Sequence, residues 1–433
     1  MENKVLILNT GGMIDKNPSL NGLPVDYFEL EPLIDSSNMT PDLWKQIAKI
    51  IGDNYNFYRG FVIFHGTDTM SYTASALSFM LKNLEKPVVI TNSYQNLMSA
   101  VYIAGNELFD VRLVPEVMVL FQDVLLRGNR SKKMNASDFF AFDSPNFPAL
   151  GEIDNELKIS RNRTLKSPKN KFYIEDNFCT DVITIDLIPG LNPEFLKNIV
   201  LSNPSLKGII LKTFGNGNTP TTNDFLDVLN FINNQGVIIL NISQCPTGIV
   251  KTGLYESSSK LSKVGVISGQ DMTCEAAITK LMHLLAKKLS IEETKKLLQI
   301  DMAGEQTISN YSLKIDSDNF TKQLNFSIDI PEKERDENLV KGVVRAINLH
   351  WKNSISPTAL VTISNKLDIE NKNLSSGQLV IKYGGHLEKG IIFPVDTSLE
   401  SLLRYSNGLE ITIETETEFL ADCIDFMVYT ADV

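Results

Sequence analysis

The sequence predicts an α/β protein with parallel sheets, followed by a β-rich C-terminal domain, and three observations predict it. Short apolar runs rich in β-branched residues alternate with stretches of helical period over residues 1–158. The same alternation resumes over 181–328, and from 339 to 433 it gives way to alternating strand patterns separated by turn residues. Strands buried on both faces read as continuous apolar runs, and their alternation with helices marks βαβ units. A length of 433 residues agrees with two or three domains.

In the first block KVLILN, GFVIFHG and PVVITNS are apolar runs of strand type, while TPDLWKQIAKIIGDN, DTMSYTASALSFMLKNL and LMSAVYIAGNEL have helical period. Trp44, Ile47, Ala48 and Ile51 fall on one helix face, and Thr40-Pro41 supplies an N-cap and a first-turn proline. EVMVLFQDVLLRGNR reads as a further strand region. Residues 159–180, with many Lys and Arg and little apolar content, form a linker or a solvated hairpin. The second block alternates again through DVITIDLIPG, PEFLKNIVLS, KGIILKTFGNGN, TNDFLDVLNFINNQ, GVIILNISQ, GVISG and DMTCEAAITKLMHLLAKKL. SIEE, starting at Ser290, is a capping box that opens a last helix. After the charged DIPEKERDEN stretch, ALVTISN, QLVIKYGGH, GIIFPVD and LEITIETETEFLADCIDFMVYT are strand patterns, with a helix expected near VKGVVRAINLHW.

Composition excludes several function classes. A formal net charge of −11 repels phosphate backbones and anionic lipid, so neither nucleic acid nor membrane is an expected partner. No segment reaches the roughly 18 uninterrupted apolar residues of a membrane span. The N-terminus combines no basic leader with a long apolar stretch, so the expected location is cytoplasmic. Cys179, Cys245, Cys274 and Cys423 are widely spaced, which fits free thiols in a reducing compartment. His65, His283, His350 and His386 make no HExxH or His-x-x-x-His pair and there is no CxxC, so neither metal nor cofactor is expected.

Three strand ends carry polar, chemically useful side chains. FVIFHGTDTM places Thr67 and Asp68 between a strand and a helix, where free amides and the helix dipole favour an anion. Ligands bind at such carboxyl ends of parallel strands, although plain N-capping accounts for the same two residues. Asp35, Ser36 and Ser37 precede the helix that starts at Pro41, again explicable as turn chemistry. Lys132 and Lys133 follow a strand, a position where a lysine is ordinarily just solvated. Near the N-terminus, NTGGMID delivers Met13, a thioether with no proton to give, from a strand running into two glycines.

Taken together, these segments resemble the L-asparaginase family, particularly its cytoplasmic bacterial branch. TGGMI, HGTDTM, DSSNMTP, RGNRSKK…AFDSPN and GQDMTCEAAITKL stand in the family's order over residues 5 to about 305, and LKTFGNGNTP and NISQCPTG look like loops of its second domain. The C-terminal β-rich domain lies outside the resemblance. The resemblance implies a two-domain fold and an amidohydrolase that cleaves the side-chain amide of asparagine through a threonine acyl-enzyme. Thr67, Asp68 and Lys133 match the family's second hydroxyl with its supporting aspartate and lysine. Ser36, with Ser37 beside it, matches the holder of the substrate α-carboxylate, and Asp68 would pair with the α-ammonium.

Two positions depart from the family. Its primary nucleophile, the threonine closing Thr-Gly-Gly-Thr, is replaced here by Met13, while Thr10 matches the non-catalytic first threonine. Its activating tyrosine falls at Leu23, with Tyr27 and Ser19 as nearby hydroxyls. Three consequences compete: Thr67 acts as nucleophile with Lys133 as base; the pocket activates water or takes a different, larger substrate; or the site binds an amino acid without turnover. The resemblance further implies a regulatory asparagine site at Lys132, Lys212 and Cys245, where Lys212 replaces an expected arginine and lacks its planar fork. It also implies a homodimer or homotetramer.

Overall fold

The computed structural model describes residues 4–11, 24–105, 114–137, 141–154, 156–160, 163–250 and 256–314, and beyond these the strands named below. The chain divides into two units, Met1–Gln306 and Thr307–Asp432. The first unit contains both α/β domains.

The first domain is built on an eight-stranded sheet. Its strands are β1 (Val5–Asn9), β2 (Val25–Glu29), β3 (Gly60–Phe64), β4 (Val88–Thr91), β5 (Val117–Phe121), β6 (Val124–Arg127), β7 (Gly151–Asp154) and β8 (Glu156–Ile159), in the order β8-β7-β6-β5-β4-β3-β1-β2. The pairs from β2 to β5 are parallel, and those from β5 to β8 are antiparallel. The sheet is therefore mixed rather than parallel throughout. The reason lies in EVMVLFQDVLLRGNR: Gln122 takes a left-handed φ of 54° and folds the segment into a tight hairpin instead of one strand. β8 ends at Ile159, where the expected linker begins. Helices α1 (Pro41–Asn54), α2 (Met70–Met80) and α3 (Tyr94–Gly105) pack on this sheet. The Thr40 side chain accepts from Leu43 N, and Trp44, Ile47, Ala48 and Ile51 are all buried, as their spacing predicts.

The second domain has a four-stranded parallel sheet, β9 (Val182–Asp186), β10 (Gly208–Thr213), β11 (Ile238–Ser243) and β12 (Ile267–Ser268). Successive residues of its central strands point to opposite faces. Ile209, Leu211 and Ile239 join α4 (Pro193–Ser202) and α5 (Asn223–Asn234) in one core. Ile210, Ile238 and Leu240 join α7 (Cys274–Ala286) in another; α6 (Glu256–Lys263) lies between α5 and α7 in the chain. The capping box at Ser290 opens α8 (Ile291–Leu298), with both reciprocal bonds present. Polar bonds stitch the two domains together: Asn146 Nδ2 donates to the Asp271 carbonyl at 2.9 Å, and the Gly248 amide donates to Asn146 Oδ1 at 2.9 Å. The buried Arg130 and Asp271 form an ion pair at 2.9 Å.

The second unit has two four-stranded sheets. One orders its strands as Ile308–Lys314, Ala421–Tyr429, Val343–Trp351 and Gly390–Pro394; the other as Thr321–Asp329, Gly408–Phe419, Thr358–Asn365 and Gln378–Gly384. All the pairings are antiparallel. Two expectations need correction. Val343–Trp351 is a strand, not a helix, because its backbone pairs with Gly390–Pro394 on one side and Ala421–Tyr429 on the other. The β-rich unit also begins at Thr307 rather than 339, since the strands Ile308–Lys314 and Thr321–Asp329 find their partners at the far end of the chain.

Candidate active site

Three chain segments meet beyond the carboxyl ends of β1 and β3. The Thr10 amide donates to the Phe64 carbonyl, and the Thr10 hydroxyl donates to the same oxygen at 3.0 Å, so this buried threonine serves the backbone. The next residue, Gly11, has φ +140°, and a Cβ there would stand 1.7 Å from the Ile34 carbonyl oxygen. That close approach draws residues 30–38 over the strand ends: the Leu30 amide donates to Asn9 O and the Ile34 amide to Thr10 O. Met13, Ser19 and Leu23 lie outside the described residues.

A short 3₁₀ turn at Ser36–Asn38 then packs against the turn after β3. Asp35 caps it, accepting from the Ser37 amide at 2.9 Å and the Ser37 hydroxyl at 2.8 Å. These bonds, the backbone one foremost, hold the Asp35 carboxyl below the usual carboxylate range. Ser36 is buried; its Oγ accepts from the Asp68 amide at 3.3 Å, and its carbonyl accepts from Thr69 Oγ1 at 2.7 Å. Gly66 is required at this contact, because a Cβ on it would meet Ser36 Oγ at 2.6 Å. Thr69, not Thr67 or Asp68, occupies the N-cap of α2, and its hydroxyl is engaged with Ser36 rather than capping. N-capping therefore does not account for Thr67 and Asp68.

Lys133 completes the cluster from a distant segment. Its Nζ lies 2.9 Å from Thr67 Oγ1 and 2.6 Å from Asp68 Oδ1, and its side chain is 23% exposed against 63% for Asp68. The arm that carries it is pinned just upstream: buried Ser131 Oγ donates to the Gly128 carbonyl at 2.8 Å and lies 3.0 Å from Ser71 Oγ on α2, from which it accepts. Lys132 and Lys133 pair with Asp143 and Phe142 in a two-residue ladder. The sequence offers Lys133 as a solvated loop lysine; the fold makes it a partner of two residues more than sixty positions away. In chemical terms, an ammonium donating to a threonine oxygen leaves the hydroxyl proton free and stabilises negative charge developing on that oxygen.

Other expected residues distribute differently. Lys132 Nζ meets Glu275 at 3.2 and 3.4 Å, and Lys212 Nζ meets Asp186 Oδ1 at 2.6 Å. Burial first, then the Glu275 charge, pushes the Cys274 thiol up to about 11, while Lys132 and Lys212 act in the opposite direction. The two lysines therefore bear on Cys274. Cys245 is exposed, and its amide donates to Ser243 Oγ at 3.0 Å. Tyr27 is a residue of β2 opposite Ile7, its hydroxyl raised above the ordinary range by burial and by Tyr94.

Three residues behind the turn escape a reading of sequence pattern. His65 is wholly buried, with Nδ1 2.6 Å from the Gly66 carbonyl and Nε2 2.9 Å from Thr73 Oγ1. Trp44 Nε1 donates to the same Thr73 Oγ1 at 3.0 Å. Periodicity assigns Trp44 to the core, where it is, but is silent on its N–H. A histidine directly after an apolar strand is the only signal the sequence offers.

Comparisons with known proteins bear on the family and the fold. Residues 4–165 match the family model described as Asparaginase, N-terminal, and residues 181–298 the one described as Glutaminase/Asparaginase C-terminal domain. L-asparaginase 1 of Escherichia coli (strain K12) is 39% identical over 292 residues, covering 64% of this chain and 84% of its own. The 60 kDa lysophospholipase of Mus musculus is 41% identical over 293 residues, 65% of this chain; the match spans 50% of that protein's length. Among solved structures, L-asparaginase I from Vibrio cholerae superposes with a TM-score of 0.65 at 38% identity, covering 70% of this chain and 99% of that one.

Proposed function

Because the chain belongs to the L-asparaginase family, we propose that it is an amidohydrolase acting on the side-chain amide of asparagine or of an asparaginyl compound, with Thr67, Lys133 and Asp68 at its centre. The observation that carries the proposal is Lys133 Nζ within hydrogen-bonding distance of both Thr67 Oγ1 and Asp68 Oδ1. Thr67 Oγ1 attacks the amide carbon, the C–N bond breaks, and ammonia leaves with the proton that Thr67 gives up. Lys133 stabilises the oxygen during the attack, and water then hydrolyses the ester to aspartate. Ser36 and Ser37 face the substrate α-carboxylate and Asp68 its α-ammonium. The substrate is a small molecule, the assembly a homodimer or homotetramer, and the setting cytoplasmic. Ammonia release from asparagine that disappears in Thr67→Ala supports this reading; release untouched by that change defeats it.

A second reading rests on Met13 and Leu23, which replace the hydroxyl pair the family uses for its first attack. Loss of a primary nucleophile costs orders of magnitude in rate, and the site then binds an amino acid without turning it over. The double variant Met13→Thr/Leu23→Tyr separates the two readings. A large gain in ammonia release from an inactive parent favours the silent-binder reading, whereas an already active parent removes it. A regulatory role for Lys132, Lys212 and Cys245 belongs with either reading. Asparagine-dependent stabilisation that survives Thr67→Ala but not Lys212→Ala is its test.

A further inference from the structure

The bonds around His65 fix its protonation. Trp44 Nε1 is a donor only, so it takes a lone pair of Thr73 Oγ1. The Thr73 hydroxyl then has its proton to give to His65 Nε2 at 2.9 Å. In the opposite tautomer, Nδ1 would turn a lone pair on the Gly66 carbonyl oxygen 2.6 Å away, a repulsive contact beside a wholly buried ring. A charged imidazolium would leave Nε2–H and Trp44 N–H both pointed at one oxygen. The chain of donors thus runs in one direction, from Trp44 on α1, through Thr73 on α2, to the carbonyl immediately before Thr67.

We infer that His65 is a positioning residue: a neutral imidazole, protonated on Nδ1, that holds the Gly66 carbonyl and so aims Thr67 Oγ1 at Lys133. Downstream of the peptide joining Gly66 to Thr67, the Asp68 amide is held on Ser36 Oγ at 3.3 Å, and the peptide's own carbonyl meets His65. The Gly66 side is packed under Ser36, and the Thr67 side chain meets Lys133 from across the site. Rotation of that peptide would swing the hydroxyl away from the ammonium without disturbing the strand. Burial, against the opposing Gly66 bond, keeps the imidazole down at about 4, so it stays neutral where the rest of the fold is intact. What Thr67 does once aimed rests on the amidohydrolase reading; the tautomer and the bond do not.

The test uses the full-length protein labelled with ¹⁵N, with His65 assigned by its disappearance in His65→Gln. The expected pattern is a protonated Nδ1 and a bare Nε2; the reverse pattern overturns the inference. Thr73→Val keeps the side-chain shape and removes the hydroxyl. It is expected to lower kcat for ammonia release on the order of tenfold to a hundredfold, with KM within about twofold. A Thr73→Val protein with a lower thermal midpoint and unchanged kcat shows a purely structural relay and also overturns the inference. Trp44→Phe, which removes only the outermost donor, carries the same kinetic test if Thr73→Val does not fold. Should the wild type release no ammonia, the amidohydrolase reading fails by itself. The relay is then judged by the tautomer and by the Thr67 amide resonance, which Thr73→Val must displace and which an uncoupled hydroxyl would leave in place.

Discussion

Two lysine–carboxylate pairs sit in the same α/β unit and serve opposite ends. Lys280 and Glu305 are both fully buried and 2.6 Å apart. The ammonium also donates to the carbonyls of Leu298 and Ile300, while the carboxylate accepts from the amides of Met302 and Ala303. Lys133 and Asp68 are also 2.6 Å apart but half open to solvent, and their third partner is a threonine hydroxyl rather than backbone. A saturated pair is architecture. An unsaturated one, partly exposed and with a threonine hydroxyl in reach, is what the proposed chemistry rests on.

Removing each lysine in turn puts the contrast at greatest risk. Lys280→Met strands the Glu305 carboxylate in a dry site and is expected to lower unfolding free energy by about 3–5 kcal/mol, read by denaturant titration. Lys133→Met is expected to do the reverse. Turnover falls at least about a hundredfold, roughly 3 kcal/mol in transition-state stabilisation, while stability moves by no more than about 1 kcal/mol. If the two variants exchange these phenotypes, the distinction between the pairs is wrong.

Acid sharpens the comparison. Burial alone would raise the Glu305 carboxyl, but Lys280 and the bonds from Asp301 and the backbone together bring it down to about 2. Burial, and then the Glu305 charge, hold Asp301 well above its ordinary range, so Asp301 is the proton donor of the two. A carboxyl depressed on folding lends stability that is complete above its unfolded value of 4.5 and is lost as pH falls towards about 2. Urea midpoints across that window are expected to fall more steeply for the wild type than for Glu305→Gln. His65 acts on a higher window with the same sign. Its imidazole falls from 6.5 to about 4 on folding, so stability declines as pH drops through that interval, and His65→Gln flattens the decline. The smallest effect belongs to an exposed device at the opposite end of α8 from the Leu298 carbonyl that Lys280 meets. Ser290→Ala opens the capping box of α8 and is expected to cost about 1 kcal/mol in thermal or chemical unfolding, with turnover unchanged.

How much of this was legible in the sequence follows from which interactions are local. The helix starts at Thr40-Pro41 and Ser290–Glu293 are written within four residues, and both form as their pattern predicts. The apolar strands of the second domain alternate between two cores, as a sheet covered on both faces requires. Val343–Trp351 fits a helical as well as a strand period, and only partners from distant parts of the tail decide between them. The Gln122 hairpin hides in an otherwise unbroken apolar run because its left-handed residue is not a glycine. At the site, Thr67, Asp68 and Ser36 are visible as polar residues at strand ends, but Lys133 gains its meaning only from a ladder and a Ser131–Ser71 bond that no spacing announces. Lys280 is hidden for the converse reason: on an apolar helix face a single cation looks like an interruption, until its counter-charge arrives from Glu305.

Gly11 constrains the backbone here. With a Cβ there only 1.7 Å from the Ile34 carbonyl, the chain leaves the first strand through a gap that admits a hydrogen atom and nothing larger. Any side chain at position 11 would therefore push the Ile34 segment off the strand ends, and with it the turn that carries Asp35 and Ser36. One absent methyl group thus decides how closely that turn can stand against the segment carrying Thr67 and Asp68.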